Sequence, residues 1–208
     1  MPTPLVDASG VLASLACLQP WVQAARAYRR STSGISVMTW SMLVFVSGLW
    51  VAYGVVFRVV GEVVGNSLFA LGSLAIIAAC ARSGASVRME LLVAAGCLVA
   101  VLVPCIAFPQ ALGPVAVVAT MAAYLPQAAI RSHDLGGVSV PAWGWTVAAS
   151  TAWLVYGLGL HRVPVWAPNT VIIPTALVVA VRAYLSHRRS WARTPAPATD
   201  EELFSHTG

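Results

Sequence analysis

Residues 47–54 read Ser-Gly-Leu-Trp-Val-Ala-Tyr-Gly, and residues 150–157 read Ser-Thr-Ala-Trp-Leu-Val-Tyr-Gly. Ser47, Trp50, Tyr53 and Gly54 thus recur as Ser150, Trp153, Tyr156 and Gly157, each pair 103 residues apart. Outward from these stretches, with no gap, the same shift pairs Gly34 with Gly137, Ser36 with Ser139, Trp40 with Trp143 and Asn66 with Asn169. The chain is therefore an internal duplication. In a chain this apolar, a repeated helical unit points to a membrane carrier, because two copies enclose one central site and can rock against each other around it.

Composition bounds the answer in the same direction. With 208 residues, 59% hydrophobic and 9% charged, the chain has too little polar surface to cover a soluble globule of its size. The formal charge of +5 comes from twelve arginines and no lysine. That suits lipid phosphate at a cytoplasmic interface, and no basic run accompanies a nucleic-acid-binding motif, so nucleic acid is not an expected partner. Cys17, Cys80, Cys97 and Cys105 are dispersed in apolar stretches without C-x-x-C spacing or histidine neighbours, so neither a metal site nor a disulfide framework is expected. No basic segment precedes the first apolar run, which is read as a retained helix rather than a cleaved signal.

A transmembrane helix needs roughly 20 mainly apolar residues. Seven windows meet this, near 5–25, 36–57, 63–82, 89–107, 110–130, 139–160 and 164–185, with short punctuated connections between them. The expected fold is an all-α membrane protein with two parallel three-helix bundles, 5–82 and 110–185. The unmatched helix 89–107 links them, because an odd span restores parallel orientation between two three-helix units. Residues 186–208 are expected to be a disordered cytoplasmic tail. Under this layout Arg26, Arg29, Arg30, Arg82, Arg88, Arg131, Arg182, Arg188, Arg189 and Arg193 fall on one side, and only Arg58 and Arg162 on the other. The expected location is the cell (inner) membrane, with the amino terminus outside and the carboxyl terminus in the cytoplasm.

The duplication also nominates the site. At ~1.5 Å per residue, Trp50 lies roughly 10 Å inward from the outer end of its helix, and Asn66 a comparable depth along the next. Trp153 and Asn169 repeat the arrangement, with Ser47 and Ser150 as further candidates for substrate contact. An indole stacks on the apolar face of a pyranose, and a carboxamide both donates to and accepts from hydroxyls, so this neutral set suits a sugar. Tyr53 and Tyr156, a turn further out on nearly the same face, are candidate outer gates. Arg58 with Glu62 offers a charged latch in the first half, and His161 or Arg162 in the second. Trp40, Trp143, Trp145 and Trp166 lie near predicted helix ends and are read as interface anchors. Glu90 is read as an interfacial group or a partner of Arg88. Pro20 and Pro126, the latter followed by Gln127, lie inside predicted helices as hinges or as static kinks.

The stretch Leu125-Pro126-Gln127, with Gly137-Val138-Ser139 and Trp153-x-x-Tyr156-Gly157, resembles a PQ-loop repeat. Arg30-Ser31-Thr32 with Trp50-x-x-Tyr53-Gly54 and Asn66 resembles the first repeat of the SWEET sugar facilitators, whose single-repeat bacterial relatives are the SemiSWEETs. The resemblance covers nearly the whole chain except the tail. It implies sugar contact by Trp50, Asn66, Trp153 and Asn169, outer gating by Tyr53 and Tyr156, and inner hinges at Pro20, Pro126 and Pro141. Met38 stands where Pro141 stands in the second half, and the first half reads Gln19-Pro20 rather than Pro-Gln. The expectation is a symmetric outer half and an asymmetric inner gate.

The function expected is facilitated diffusion of mono- or disaccharides by alternating access. The alternative is a PQ-loop carrier of amino acids driven by protons. That carrier needs a carboxylate at membrane depth, and Asp7, Glu62, Glu90 and Asp134 all fall near helix ends or in loops. A retinal protein is excluded by the absence of lysine. His133, His161, His187 and His206 lie in loops or the tail with no nucleophile beside them, so neither an enzyme nor a cofactor is expected. Two repeats already complete one pathway, so a homo-oligomer is optional.

Overall fold

The computed structural model describes residues 4, 5, 8, 9, 12 and 15–193. Among them there is no strand. A 3-10 turn at Leu15–Leu18 leads into α1 (Gln19–Arg29), followed by α2 (Val37–Val56), α3 (Val60–Arg82) and α4 (Arg88–Ala107). A second 3-10 turn, Pro109–Ala111, leads into α5 (Leu112–Ala123), α6 (Leu125–Ala129), α7 (Val140–Gly159), α8 (Val163–Trp166) and α9 (Asn169–Arg193).

The duplicated residues set the duplicated helix limits. Ser36 and Ser139 adopt extended backbone, and each hydroxyl accepts from the N–H three residues on, Thr39 at 3.1 Å and Ala142 at 3.3 Å. The helices they cap, α2 and α7, start and stop 103 residues apart. Both stop in the same way. Arg58 (φ 57°) and His161 (φ 52°) take left-handed backbone, and the next N–H turns back to Gly54 O (2.7 Å) or Gly157 O (2.9 Å), a Schellman closure without the usual glycine. The motif glycines admit the returning chain. A Cβ on Gly54 would lie 2.9 Å from Val63 Cγ2, and one on Gly157 would lie 2.7 Å from Trp166 N.

The helices pack in a closed ring. α1 lies on α3, α3 on α2, α2 on α5, α5 and α6 on α9, α9 on α7, and α7 on α1. α4 packs on α2, where Gly48 admits Leu98, whose Cδ2 comes 3.0 Å from the position of an added Cβ. Most of α4 faces outward: only Ala94 and Cys105 are buried, while Met89, Leu92, Val99, Val103 and Ile106 are exposed. Such an apolar exterior is unfavourable in water and suited to hydrocarbon. Among the described residues, five helical stretches are long and apolar enough to cross a membrane: 37–56, 60–82, 88–107, 109–129 and 163–190. α7 matches α2 in length but carries Trp143, Trp145 and Trp153 and so is less apolar.

Three predicted boundaries move. The predicted span 110–130 breaks at Tyr124, and 164–185 breaks at Ala167-Pro168 because proline interrupts the helical hydrogen bonds that α3 keeps. The tail expected from Ser186 does not start there. α9 runs on to Arg193, its end tied down by Ser186, which accepts from Leu135 N at 3.1 Å and donates to His133 O at 3.0 Å. The remainder of that tail, and most of the first predicted span before Leu15, lie outside the described residues.

Candidate functional site

Gln127 of α6 reaches across the ring to the loop before α2, where its Oε1 accepts from Ser36 N (2.8 Å) and its Nε2 donates to Gly34 O (2.8 Å). Gln23 of α1 does the same to the loop before α7, accepting from Ser139 N (2.8 Å) and donating to Gly137 O (2.7 Å). The two buried carboxamides form a reciprocal clasp, each satisfying one backbone donor and one acceptor of the other half. The loops themselves interlock. Gly137 N donates to Ser33 O at 2.9 Å, and a Cβ on Gly137 would lie 2.5 Å from Ser31 O. Gly34, at φ +73°, sits against Leu135.

Gln127, expected as part of a hinge, is thus a clasp, and its partner in the first half is Gln23 rather than Gln19. Gln19 lies one turn away, buried, with both amide atoms unpartnered among the described residues. The signal was present in the sequence but hidden, because Gln23 and Gln127 are 104 residues apart and fall one residue out of the repeat.

At the starts of α2 and α7 the asymmetry expected from Met38 and Pro141 does not appear in the backbone. Both are second residues of their helices, where a proline ring displaces no hydrogen bond, and the Ser36 and Ser139 backbones agree closely (φ −80°, ψ 106° against φ −85°, ψ 108°). Pro20 and Pro126 likewise occupy second positions, of α1 and α6. Pro20 is wedged against α3 at Gly72, where a Cβ would come within 2.8 Å. Arginines make the difference between the halves instead. Arg26 Nε donates to Gly136 O at 3.0 Å, Arg182 Nη1 to Ala128 O at 2.7 Å, and Arg182 Nη2 to Ile130 O. Asp134 accepts from Ser33 Oγ (2.7 Å) and Gly136 N (2.8 Å). The Ser33 hydroxyl foremost, then the Gly136 N–H, holds its carboxyl below the usual carboxylate range.

Two of the expected interface tryptophans are core residues. Trp40 and Trp143 are each 1% exposed and meet edge to face, ring centroids 6.5 Å apart, with Tyr124 against Trp143 at 6.1 Å. These indoles are where α2 and α7 meet, one turn in from the serine caps. On each helix the same face continues as Leu43, Ser47, Trp50 and Gly54, or as Thr146, Ser150, Trp153 and Gly157.

Along that face the candidate pairs recur with matching geometry. Trp50 meets Tyr53 at 5.6 Å and Trp153 meets Tyr156 at 6.0 Å, both edge to face. Ser47 and Ser150 are buried. Asn66 Nδ2 donates to Glu62 O at 3.0 Å and Asn169 Nδ2 to Val165 O at 2.8 Å, each one turn back. Among the described residues no hydrogen bond joins a tryptophan to an asparagine or one asparagine to the other. Trp50 Nε1 donates instead to Thr120 Oγ1 of α5 at 3.0 Å, a contact with no counterpart at Trp153 and no signal in the repeat. Tyr53 lies over the start of α5, its ring 3.5 Å from a Cβ built on Gly113, and against Phe57.

No protein-family model, no curated protein and no solved structure matches this chain.

The charged latch does not form. Glu62 makes no ion pair with Arg58; its Oε2 accepts from Asn66 Nδ2 at 2.9 Å, because Arg58 adopts the left-handed turn beyond α2 while Glu62 lies inside the first turn of α3. His161 holds the equivalent left-handed turn, and among the described residues neither it nor Arg162 makes an ion pair. Glu90, expected as an interfacial group or a partner of Arg88, has Oε2 buried without a partner among the described residues.

Proposed function

We propose that this chain is a membrane carrier that moves mono- or disaccharides down their gradient by alternating access. In this reading α1 to α3 and α5 to α9 are two parallel three-helix units, α4 is the linker, the amino terminus faces outward and the clasp closes the cytoplasmic side. The observation that carries the reading is the Trp-x-x-Tyr-Gly and Asn set, present twice at one 103-residue shift with the same ring contacts and the same asparagine back-bonding. The repeated indole faces suit pyranose rings, and the asparagine Oδ1 atoms are left to accept from hydroxyls. The reciprocal clasp supports alternating access, because at this end the two halves meet through loop backbone and side-chain hydrogen bonds that can break and re-form while each helical unit stays intact.

Uptake of radiolabelled glucose and sucrose into proteoliposomes tests this. Protein-dependent flux that falls at least about tenfold in Trp50→Ala and Asn169→Ala is expected. The contact between Glu62 and Asn66 favours one further reading, a proton-driven amino-acid carrier, since it brings a carboxylate to the candidate site. Flux of an amino acid but of neither sugar, accelerated by a pH gradient, would select it.

A further inference from the structure

The two halves of the candidate site differ at one telling position, Glu62 in the first and Val165 in the second. Asn66 Nδ2 donates both to the Glu62 carbonyl (3.0 Å) and to Glu62 Oε2 (2.9 Å). A carboxamide nitrogen carries two hydrogens, so both are committed. The reverse amide orientation would set Oδ1 against a carbonyl and a carboxylate, so the partners themselves determine which atom is nitrogen. Asn169 commits one hydrogen to Val165 O and keeps the other. Glu62 is half-buried beside the motif glycine, its Cβ 3.0 Å from a Cβ built on Gly54, and no cation pairs with it among the described residues. The first half therefore offers a ligand acceptors and a negative charge. The second offers a donor and an acceptor and no charge.

We propose that Glu62 is a specificity residue that selects sugars bearing an ammonium group over their neutral hydroxyl analogues. The inference rests on the sugar reading of the Trp and Asn pairs. A cationic amine entering a site of low polarity loses hydration, and a facing carboxylate offsets that loss through a charge-assisted hydrogen bond that a neutral hydroxyl forms more weakly. With Asn66 already saturated as a donor, a substrate group that only donates is the one its Oδ1 and the Glu62 carboxylate can both satisfy. An ammonium group only donates.

The test uses the full chain in proteoliposomes, with radiolabelled D-glucosamine and D-glucose supplied separately below the pKa of the amine. Wild type is expected to carry glucosamine about tenfold more efficiently than glucose. Glu62→Gln, which keeps an acceptor for Asn66, and Glu62→Val, which copies the second half, should each lose most of that preference, read as the ratio of glucosamine to glucose efficiency within one preparation. A glucosamine preference unchanged in both variants, or absent from wild type while Trp50→Ala still abolishes glucose flux, overturns the proposal and leaves the sugar reading standing. Absence of flux for both sugars in wild type overturns both.

Discussion

Gln23 and Gln127 join the two halves at the arginine-rich end. Each makes two buried hydrogen bonds to backbone of the other half, so alanine at either position leaves a buried N–H and a buried C=O without partners. Gln23→Ala and Gln127→Ala should each cost about 2–4 kcal/mol, read as a lowered thermal midpoint in detergent. Because the bonds are reciprocal, the two losses should be similar, whereas Gln19→Ala should be far milder, since Gln19 has no partner to lose. Glycine gives a second contrast. Gly137→Ala forces a Cβ to 2.5 Å from Ser31 O, against backbone that cannot rotate away, and should destabilise by about 1–3 kcal/mol or more. Gly144 faces open space on α7, so Gly144→Ala should stabilise by about 0.5–1 kcal/mol in the same assay.

At the scale of helices, α2 and α7 have matching starts and stops because the residues that cap and close them are repeated. The serine caps were legible in the sequence as members of the repeat. The left-handed closures at Arg58 and His161 were not, since no glycine marks them. Both residues carry left-handed strain that glycine lacks, so Arg58→Gly and His161→Gly should each raise thermal stability, by about 0.5–1 kcal/mol once the flexibility of glycine is counted. Met38 is the second residue of a helix whose N-cap matches that of the proline-bearing helix. Met38→Pro should therefore leave stability within about 0.5 kcal/mol of wild type. A drop of several kcal/mol would mean that the first half cannot accept the proline that the second half has.

For the molecule as a whole, the interlocked loops carry a pH dependence. Asp134, held below the usual carboxylate range by Ser33 and Gly136, contributes stability that is present above the ordinary value of about 4 and is lost as pH falls through its own lower value. Hydrogen exchange at 31–36 and 132–139, corrected for intrinsic rates, should rise in acidic solution as Asp134 takes up its proton. Asp134→Asn should remove most of that dependence.

The sequence by itself determined the duplication, the all-helical class, most helix limits and the matched Trp, Tyr, Gly and Asn positions, because these depend on local hydropathy, caps and a register that survives as a constant shift. The tertiary structure alone decided what those positions touch. Gln23 became a clasp, Trp40 and Trp143 became core, and Glu62 turned from Arg58 to Asn66, because each of these follows from which helix lies opposite and at what depth. A repeat records that two residues are equivalent. Only packing across the ring supplies the partner that gives an equivalent residue its role.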